Sequence, residues 1–550
     1  MTRLKGLHKD LCDAVALAAA WAALLSLLLH GFVAGYFPLS DEWALLANSD
    51  PRFADPIAWL TRGFAGYFTE PPGLAGPYAN FVRPVVNFCY WLQGLWLAPE
   101  SGARLYFNYL VIGACSGACL LAMRATPLSR GLTLLFAAAV PLLPGFLPSS
   151  QLLFFPVMAF DPLVACLCIL AAILYQREQF SAAALVLLVA ALTKEASIPI
   201  AAALTALYVI EHRRALIAKD LRAWLRFAML AAPVVLWLAC RYALFGSLTQ
   251  GTYTHINGAN DALRFLPRTI VRVPFWFDRK TDLTIEARPL MMLANAAVMI
   301  AALAAVGRRW IRHGRPHPFE IALVVSYVFM LRYGETVRFG AVMDVFLVAC
   351  TALWLGDPSS RKLGAVVAAG LVLGLIATHR HGVKDLEARR DALIYDHDVA
   401  RRYVQTLRDL PREAPVVVLN DPATWFSRLE WLLRLEGISA SVVKVADAEC
   451  YMPRSNWLQQ CSVSLRDEGQ RRYRFEQSCG LDLCGAAPGR GRTTSYSPAP
   501  GIAVELDPGA TQRADERTGG RWRSLRVSLG NPDARLLYFD PATDAFRIAP

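Results

Sequence analysis

The sequence predicts a polytopic α-helical membrane protein of about eleven transmembrane helices, followed by a C-terminal soluble α/β domain. Three observations predict it. The 550 residues are 55% hydrophobic and only 18% charged, with a mean hydropathy of +0.35, which is too apolar for an ordinary soluble chain. Apolar runs of bilayer-spanning length recur through 1–379 and then stop. From Arg380 onward, polar segments alternate with short strand-like runs. The 14 Trp, 18 Tyr and 27 Phe residues exclude disorder as the dominant state, because they supply more buriable surface than disordered chains have.

The first element follows a basic start (Arg3, Lys5, Lys9) and covers 11–37. It exceeds the ~20 residues that span a bilayer and has no clean small-residue cleavage site, so a retained helix is expected rather than a cleaved signal peptide. Ten further crossings are expected over 105–123, 131–147, 152–175, 180–192, 197–210, 227–244, 289–306, 319–331, 339–355 and 363–378. The runs 180–192 and 197–210 flank Lys194-Glu195. Joined, they would make a helix of about 46 Å against a hydrocarbon core of about 30 Å, so two short helices meeting at a turn are expected.

The run 85–98 is ambiguous, and the distribution of Lys and Arg decides it. If it does not cross, one side of the membrane collects Arg3, Lys5, Lys9, Arg124, Arg130, Arg177, Arg213, Arg214, Lys219, Arg222, Arg226, Arg308, Arg309, Arg312, Arg315, Arg361 and Lys362. That is a high cation density in roughly 55 residues, against about 13 cations in roughly 139 residues on the other side. The N-terminus is then cytoplasmic, 85–98 is interfacial or re-entrant, and everything after Arg380 lies outside the cytoplasm. Of the net charge of +12, nearly all belongs to this membrane part, since Lys+Arg and Asp+Glu almost balance from Arg380 onward. A basic excess on short loops between apolar helices fits topology and anionic lipid, and argues against nucleic acid.

The expected domains are therefore 1–379, with a first extracytoplasmic loop over 38–104, and 380–550. In the tail, 415–420 reads as a buried strand, 423–436 as an amphipathic helix and 438–445 as a second strand. The stretch 485–500 reads as a loop, and 523–529 and 534–539 alternate like strands. Four tail cysteines, Cys450, Cys461, Cys479 and Cys484, suit two disulfides in an oxidising compartment, whereas their spacing matches no zinc signature. No internal repeat is evident.

Polar residues that break the apolar pattern collect on the non-cytoplasmic side. Asp41-Glu42 follows the first helix, where a helix-capping role is the alternative. Arg83-Pro84 precedes the interfacial run, where Arg83 would also serve as an anchor. Asp161 starts a helix and again suits capping. Lys194 and Glu195 sit between two short helices, where charges near membrane depth usually face a polar cavity. Arg332, Glu335 and Arg338 surround a late outer turn. Together these residues suit an anionic lipid-linked substrate: cations bind phosphate through charge-assisted bonds, and a carboxylate accepts a proton from an attacking hydroxyl.

At these residues the chain resembles the C-type superfamily of integral-membrane glycosyltransferases, in particular its bacterial members and the protein O-mannosyltransferases, which take sugars from polyprenyl-phosphate donors. The resemblance rests on Asp41-Glu42 opening the first outer loop, on Arg83-Pro84, and on Thr193-Lys194-Glu195 followed by Pro199. Val337-Arg338-Phe339 is a weaker match, and Phe160 stands where the family often has a basic residue before the acid matched by Asp161.

The resemblance implies a sugar transferase with an extracytoplasmic acceptor, in the inner (cytoplasmic) membrane, with Asp41 as general base and Glu42 second. Arg83, Lys194 and Arg338 are then donor-phosphate ligands, with Asp161, Glu195 and Arg332 as additional site residues. One base and no nucleophile residue implies inversion. No cofactor is expected; a divalent metal is compatible with this chemistry, although no His/Asp cluster demands one. The rival readings are a transporter or flippase of a lipid-linked sugar, for which no matching broken halves are seen, and a surface-polysaccharide polymerase, which would more naturally lack the acidic pair.

Overall fold

A computed structural model of the chain describes residues 2–38, 42, 45–46, 83–143, 145–146, 151–245, 289–333, 340–409, 415–420, 442–447, 462–478, 483–485, 495–506, 521–522, 524–540, 543 and 545–549. The described part divides into two compact units. One comprises Met1–Val33, Ala54–Leu97 and Ala103–Glu387; the other comprises Ala34–Phe53, Ala98–Gly102 and Ala388–Pro550.

The first unit is helical. Its helices are α1 (Thr2–Leu28), α2 (His30–Gly35, which ends in the other unit), α3 (Pro84–Gly94), α4 (Arg104–Arg124), α5 (Arg130–Ala139), α6 (Gln151–Phe154), α7 (Phe160–Gln176) and α8 (Phe180–Thr193). There follow α9 (Ile198–Ile217), α10 (Leu221–Phe245), α11 (Pro289–His313), α12 (Pro318–Tyr333), α13 (Gly340–Gly356) and α14 (Arg361–Arg408), which belongs to the second unit from Ala388 onward. Among the described residues, His8–Leu28, Arg104–Arg124 and Leu221–Ala243 are long and apolar enough to cross a bilayer. Shorter apolar helices are Arg130–Leu142, Phe160–Gln176, Phe180–Thr193, Pro318–Phe329 and Gly340–Gly356.

Close packing explains the centre of this unit. α13 is buried from Gly340 to Ala352 and packs on α4, α7 and α12, while α1 lies along α4. On α4, Gly113 and Gly117 face the carbonyl oxygens of Ala18 and Ala14, which a Cβ at either glycine would overlap. This is the small-residue spacing that lets two helix backbones approach. At the opposite end of α13, the Arg309 side chain pairs with Glu320 and Asp357, and the indole N–H groups of Trp310 and Trp354 donate to Glu320. Asp357 also accepts from Ser359 and bonds His313, so these buried charges are compensated rather than isolated.

Several boundaries differ from those read in the sequence, each for a local reason. The run 11–37 breaks at Leu29 into α1 and α2. The run 152–175 is three pieces, because Phe155 precedes Pro156 and adopts an extended conformation (φ −124°, ψ 113°) before a 3₁₀ turn over Pro156–Ala159. α9 continues past Ile210 to Ile217 through polar residues, with non-helical angles at His212. α14 continues past 378 to Arg408. α3, at 11 residues, is about 16 Å long, too short to cross.

The second unit is built on sheets. Val416–Val418 (β1) lies parallel to Val442–Lys444 (β2) and to Arg535–Asp540 (β11), and Ala545–Ala549 (β12) pairs antiparallel with β11. Between β2 and β11 in the chain come Ala446–Asp447 (β3), Ser462–Asp467 (β4), Arg472–Ser478 (β5), Leu483–Gly485 (β6), Ser495–Ala499 (β7), Ile502–Leu506 (β8), Arg521–Trp522 (β9) and Ser524–Leu529 (β10). An antiparallel sheet has the order β4-β5-β10-β8-β7, and a small one β3-β6-β9.

Val417, Leu419, Val445, Phe475, Val504, Leu525, Val527 and Leu536 share one core. Val399, on the last turns of α14, packs with Phe539. Within the expected loop 485–500, Ser495–Ala499 is strand β7, paired with β8. The expected helix over 423–436 lies outside the described residues, as do Cys450, Cys461 and Cys479; of Cys484 the backbone alone is described. The other eight cysteines are free thiols.

Candidate active site

The break between α8 and α9 organises the charged residues of the helical unit. α8 ends where the Lys194 N–H still bonds Ala190 O, at 2.9 Å, while Lys194 itself is extended (φ −161°, ψ 141°). One 3₁₀ turn, Glu195–Ser197, then leads into α9, whose first turn contains Pro199. The Ser197 hydroxyl donates to Lys194 O at 2.9 Å, satisfying a carbonyl freed by the break.

Two ion pairs radiate from this break. The Arg83 guanidinium grips Glu195 side-on, with Nη2 at 2.5 Å from Oε1 and Nε at 3.1 Å from Oε2. Lys194 Nζ meets Asp161 Oδ1. Arg83, Asp161 and Lys194 are 7%, 5% and 5% exposed, which places the charges away from bulk water. Burial alone would raise the Glu195 carboxyl, but the bonded Arg83 and the adjacent Lys194 outweigh it and hold the group below its ordinary value. Two cations and two carboxylates thus form a charge-balanced quartet.

Each member is held by its own element. Arg83 immediately precedes Pro84, the first residue of α3, so it sits outside the helix (φ −135°, ψ 56°) while its carbonyl accepts from Val86 N at 3.1 Å. Asp161 lies in the first turn of α7, where a carboxylate also faces the positive end of the helix dipole. Its side chain accepts from Lys194 Nζ. α4 fixes the irregular chain ahead of α7: Asn108 Nδ2 donates to Phe155 O at 2.8 Å and the Tyr109 hydroxyl to Leu153 O at 3.1 Å. Phe160 packs with its ring centroid 6.2 Å from Tyr90 on α3 and 6.1 Å from Phe107 on α4.

The remaining sequence candidates are placed differently. Glu42 belongs to the second unit, where it is 1% exposed and its Oε2 accepts from the Tyr36 hydroxyl. The same segment is held by His397, whose Nδ1 accepts from Phe37 N at 3.1 Å, and by Arg401, which donates to Gly35 O at 2.9 Å. Burial, reinforced by the nearby Arg401 charge, lowers the His397 imidazole to about 3. The ring is therefore neutral at pH 7, and with Nδ1 accepting it carries its proton on Nε2. Asp41 and Arg338 lie outside the described residues, and of Arg332 the backbone position in α12 is described.

Sequence reading missed Asn108, Tyr109 and Asp344. Asp344 is a buried acid on α13 whose Oδ2 accepts from Gly145 N at 2.9 Å. The signal for Asp344 was available, since a carboxylate within an apolar helix is costly unless it is bonded. Among the described residues no group of three or more His, Cys, Asp or Glu side chains is placed to hold a metal ion.

The described chain is thus a helical unit with several apolar helices and a largely buried cluster of ion pairs at a helix break, and a sheet unit. Compared with solved structures, it aligns with the crystal structure of ArnT from Cupriavidus metallidurans in the apo state over 78% of this chain and 86% of that chain, with a TM-score of 0.37 and 14% sequence identity. No family model matches the sequence, and no curated protein matches it.

Proposed function

We propose that the chain is a multi-pass membrane glycosyltransferase of the inner (cytoplasmic) membrane that moves one sugar from a polyprenyl-phosphate donor to an extracytoplasmic acceptor. The observation that carries this reading is the cluster of buried Arg83, Asp161 and Lys194 with the part-buried Glu195. A join between helices is made as well or better by apolar packing than by buried ion pairs, so four charges concentrated at a broken helix suit a polar ligand. The fork with which Arg83 holds the Glu195 carboxylate also fits two oxygens of a phosphate.

In this reading Arg83, Lys194 and Arg338 bind the donor phosphate, with Asp161, Glu195 and Arg332 around them. Asp41 takes the proton of the acceptor hydroxyl as that oxygen bonds the anomeric carbon. The bond from this carbon to the phosphate oxygen breaks, its electron pair leaves with the polyprenyl phosphate, and the anomeric centre inverts. The cations stabilise the charge that grows on the leaving phosphate. Glu42, held by Tyr36, is the second acid. The active face and residues 380–550 lie outside the cytoplasm, with disulfides among Cys450, Cys461, Cys479 and Cys484.

The test is reconstitution in proteoliposomes with a polyprenyl-phosphate sugar and an envelope extract as acceptor source. Chain-dependent release of free polyprenyl phosphate, with the sugar recovered on an acceptor, is expected. Movement of the intact donor between leaflets without its cleavage would instead identify a flippase and overturn the proposal.

A further inference from the structure

On α3 a buried acceptor and a buried donor stand one turn apart, neither with a hydrogen-bond partner among the described residues. The acceptor is Oδ1 of Asn87, a residue only 4% exposed. The donor is the indole Nε1 of the half-buried Trp91, whose ring is stacked on Phe88 with centroids 6.1 Å apart at 19°. Folded proteins seldom bury such atoms without a use for them, because each has given up water and gained no bond in return.

Both atoms belong to the helix that opens at the charge cluster. The Asn87 N–H bonds Arg83 O at 3.4 Å, which sets Asn87 one turn from the residue that grips Glu195. Arg83, Asn87 and Trp91 are spaced by four, the interval that returns to one side of a helix. Asn87 also shares the packed face of α3 with Val86 and Tyr90, and the Tyr90 ring lies 6.2 Å from that of Phe160, the neighbour of Asp161. The face that carries Asn87 is thus bounded by Arg83 at one end and by the start of α7 at the next turn.

The chemistry of the pair is neutral. An amide oxygen accepts and an indole N–H donates, and a hydroxyl group can answer both, whereas an ionised phosphate has no hydrogen to give the amide oxygen. In a polyprenyl-phosphate sugar the ring is joined directly to a phosphate oxygen, so its hydroxyls lie beyond the phosphate on the scale of one helical turn, ~5.4 Å. We propose that Asn87 and Trp91 bind hydroxyls of the donor's sugar, next to the phosphate held at the Arg83 end of α3. The inference rests on the donor reading above.

The experiment uses the full chain in nanodiscs. It measures the affinity of a short-chain polyprenyl phosphate, bare or carrying glucose, mannose, galactose or arabinose, with the phosphate-free polyprenol as reference. Wild type is expected to bind at least one sugar-bearing lipid about tenfold more tightly than the bare phosphate. Asn87→Leu should remove most of that preference, the loss falling on the sugar-bearing lipid and not on the bare phosphate. Trp91→Phe keeps a ring without the N–H and should reduce the preference about threefold. Because Asn87 Oδ1 has no partner in the free chain, Asn87→Leu should not lower the unfolding midpoint.

Unchanged sugar preference in both variants, the outcome for groups that serve only a bound water, would overturn the proposal while the donor reading stands. So would a wild type that prefers the phosphate to polyprenol but none of the four sugars to the bare phosphate. Equal affinity for phosphate and polyprenol would remove the donor reading and the inference with it. Should Asn87→Leu fail to fold, unchanged sugar preference in Trp91→Phe would count against the proposal.

Discussion

Arg83 and Glu195, 112 positions apart in sequence, are joined by a side-on ion pair with contacts of 2.5 and 3.1 Å. The pair ties the start of α3 to the break between α8 and α9. Removing one member strands the charge of the other, buried for Arg83 and part-buried for Glu195, at a cost of up to about 3–5 kcal/mol, whereas removing both leaves none to strand. Arg83→Met alone is therefore expected to lower thermal stability more than the double variant Arg83→Met/Glu195→Met. A thermal unfolding series in detergent, arranged as a double-mutant cycle, measures this. Additive losses would show that the two side chains act independently.

Gly145 has no room for a side chain. A Cβ there would lie 2.5 Å from Ala341 N and 2.7 Å from Asp344 Oδ2, the oxygen that its own N–H bonds. Gly145→Ala must push the chain away from the start of α13 and break that bond. A loss of about 1–3 kcal/mol is expected, the range for overpacking a close contact. Asp344→Asn keeps an acceptor oxygen for Gly145 and should be milder. Unfolding midpoints of the two variants check both statements.

His397 makes the second unit sensitive to acid. Its folded-state value of about 3 lies below the ordinary 6.5, so between these values the unfolded chain binds a proton that the folded chain refuses. Stability contributed by the neutral ring is fully present above pH 6.5 and declines as pH falls below it, by up to about 1.4 kcal/mol per pH unit. Local opening of the segment that carries Phe37, Tyr36 and Glu42 should become more frequent over the same range, because an opened His397 ring takes up the proton that the packed ring refuses. Amide exchange of residues 34–38 at pH 7 and pH 5 is the check. His397→Gln should remove the difference.

Much of the helical unit was legible because bilayer-length apolar runs are a coarse, robust signal. α4 falls within one residue of its expected bounds at each end, and the turn at Lys194 follows from helix length alone. Prolines explain what a hydropathy run hides. Phe155-Pro156 splits a continuous apolar stretch without changing its hydrophobicity, so the run itself gave no warning. The ends of α9 and α14 were missed for the converse reason: polar residues beyond an apolar run continue a helix perfectly well.

In the sheet unit, β1, β10 and β11 carried recognisable patterns. β7 did not, because Ser495 to Ala499 has turn-like composition and becomes a strand through pairing with β8. The candidate site was legible as residue types and not as partnerships. Short motifs identified Arg83, Asp161, Lys194 and Glu195 singly, but that the cations meet the two carboxylates depends on contacts between elements far apart in sequence.

The central claim is that Asp41 removes the acceptor proton while the quartet holds the donor phosphate. The decisive measurement is turnover of Asp41→Asn beside wild type and Glu42→Gln, with donor binding measured in parallel. Asn keeps the shape of Asp and caps a helix as well, but it is no base. The expected result is a fall in turnover of about 10²–10⁴ for Asp41→Asn with donor affinity nearly unchanged. Near-normal transfer by both amide variants would contradict the mechanism.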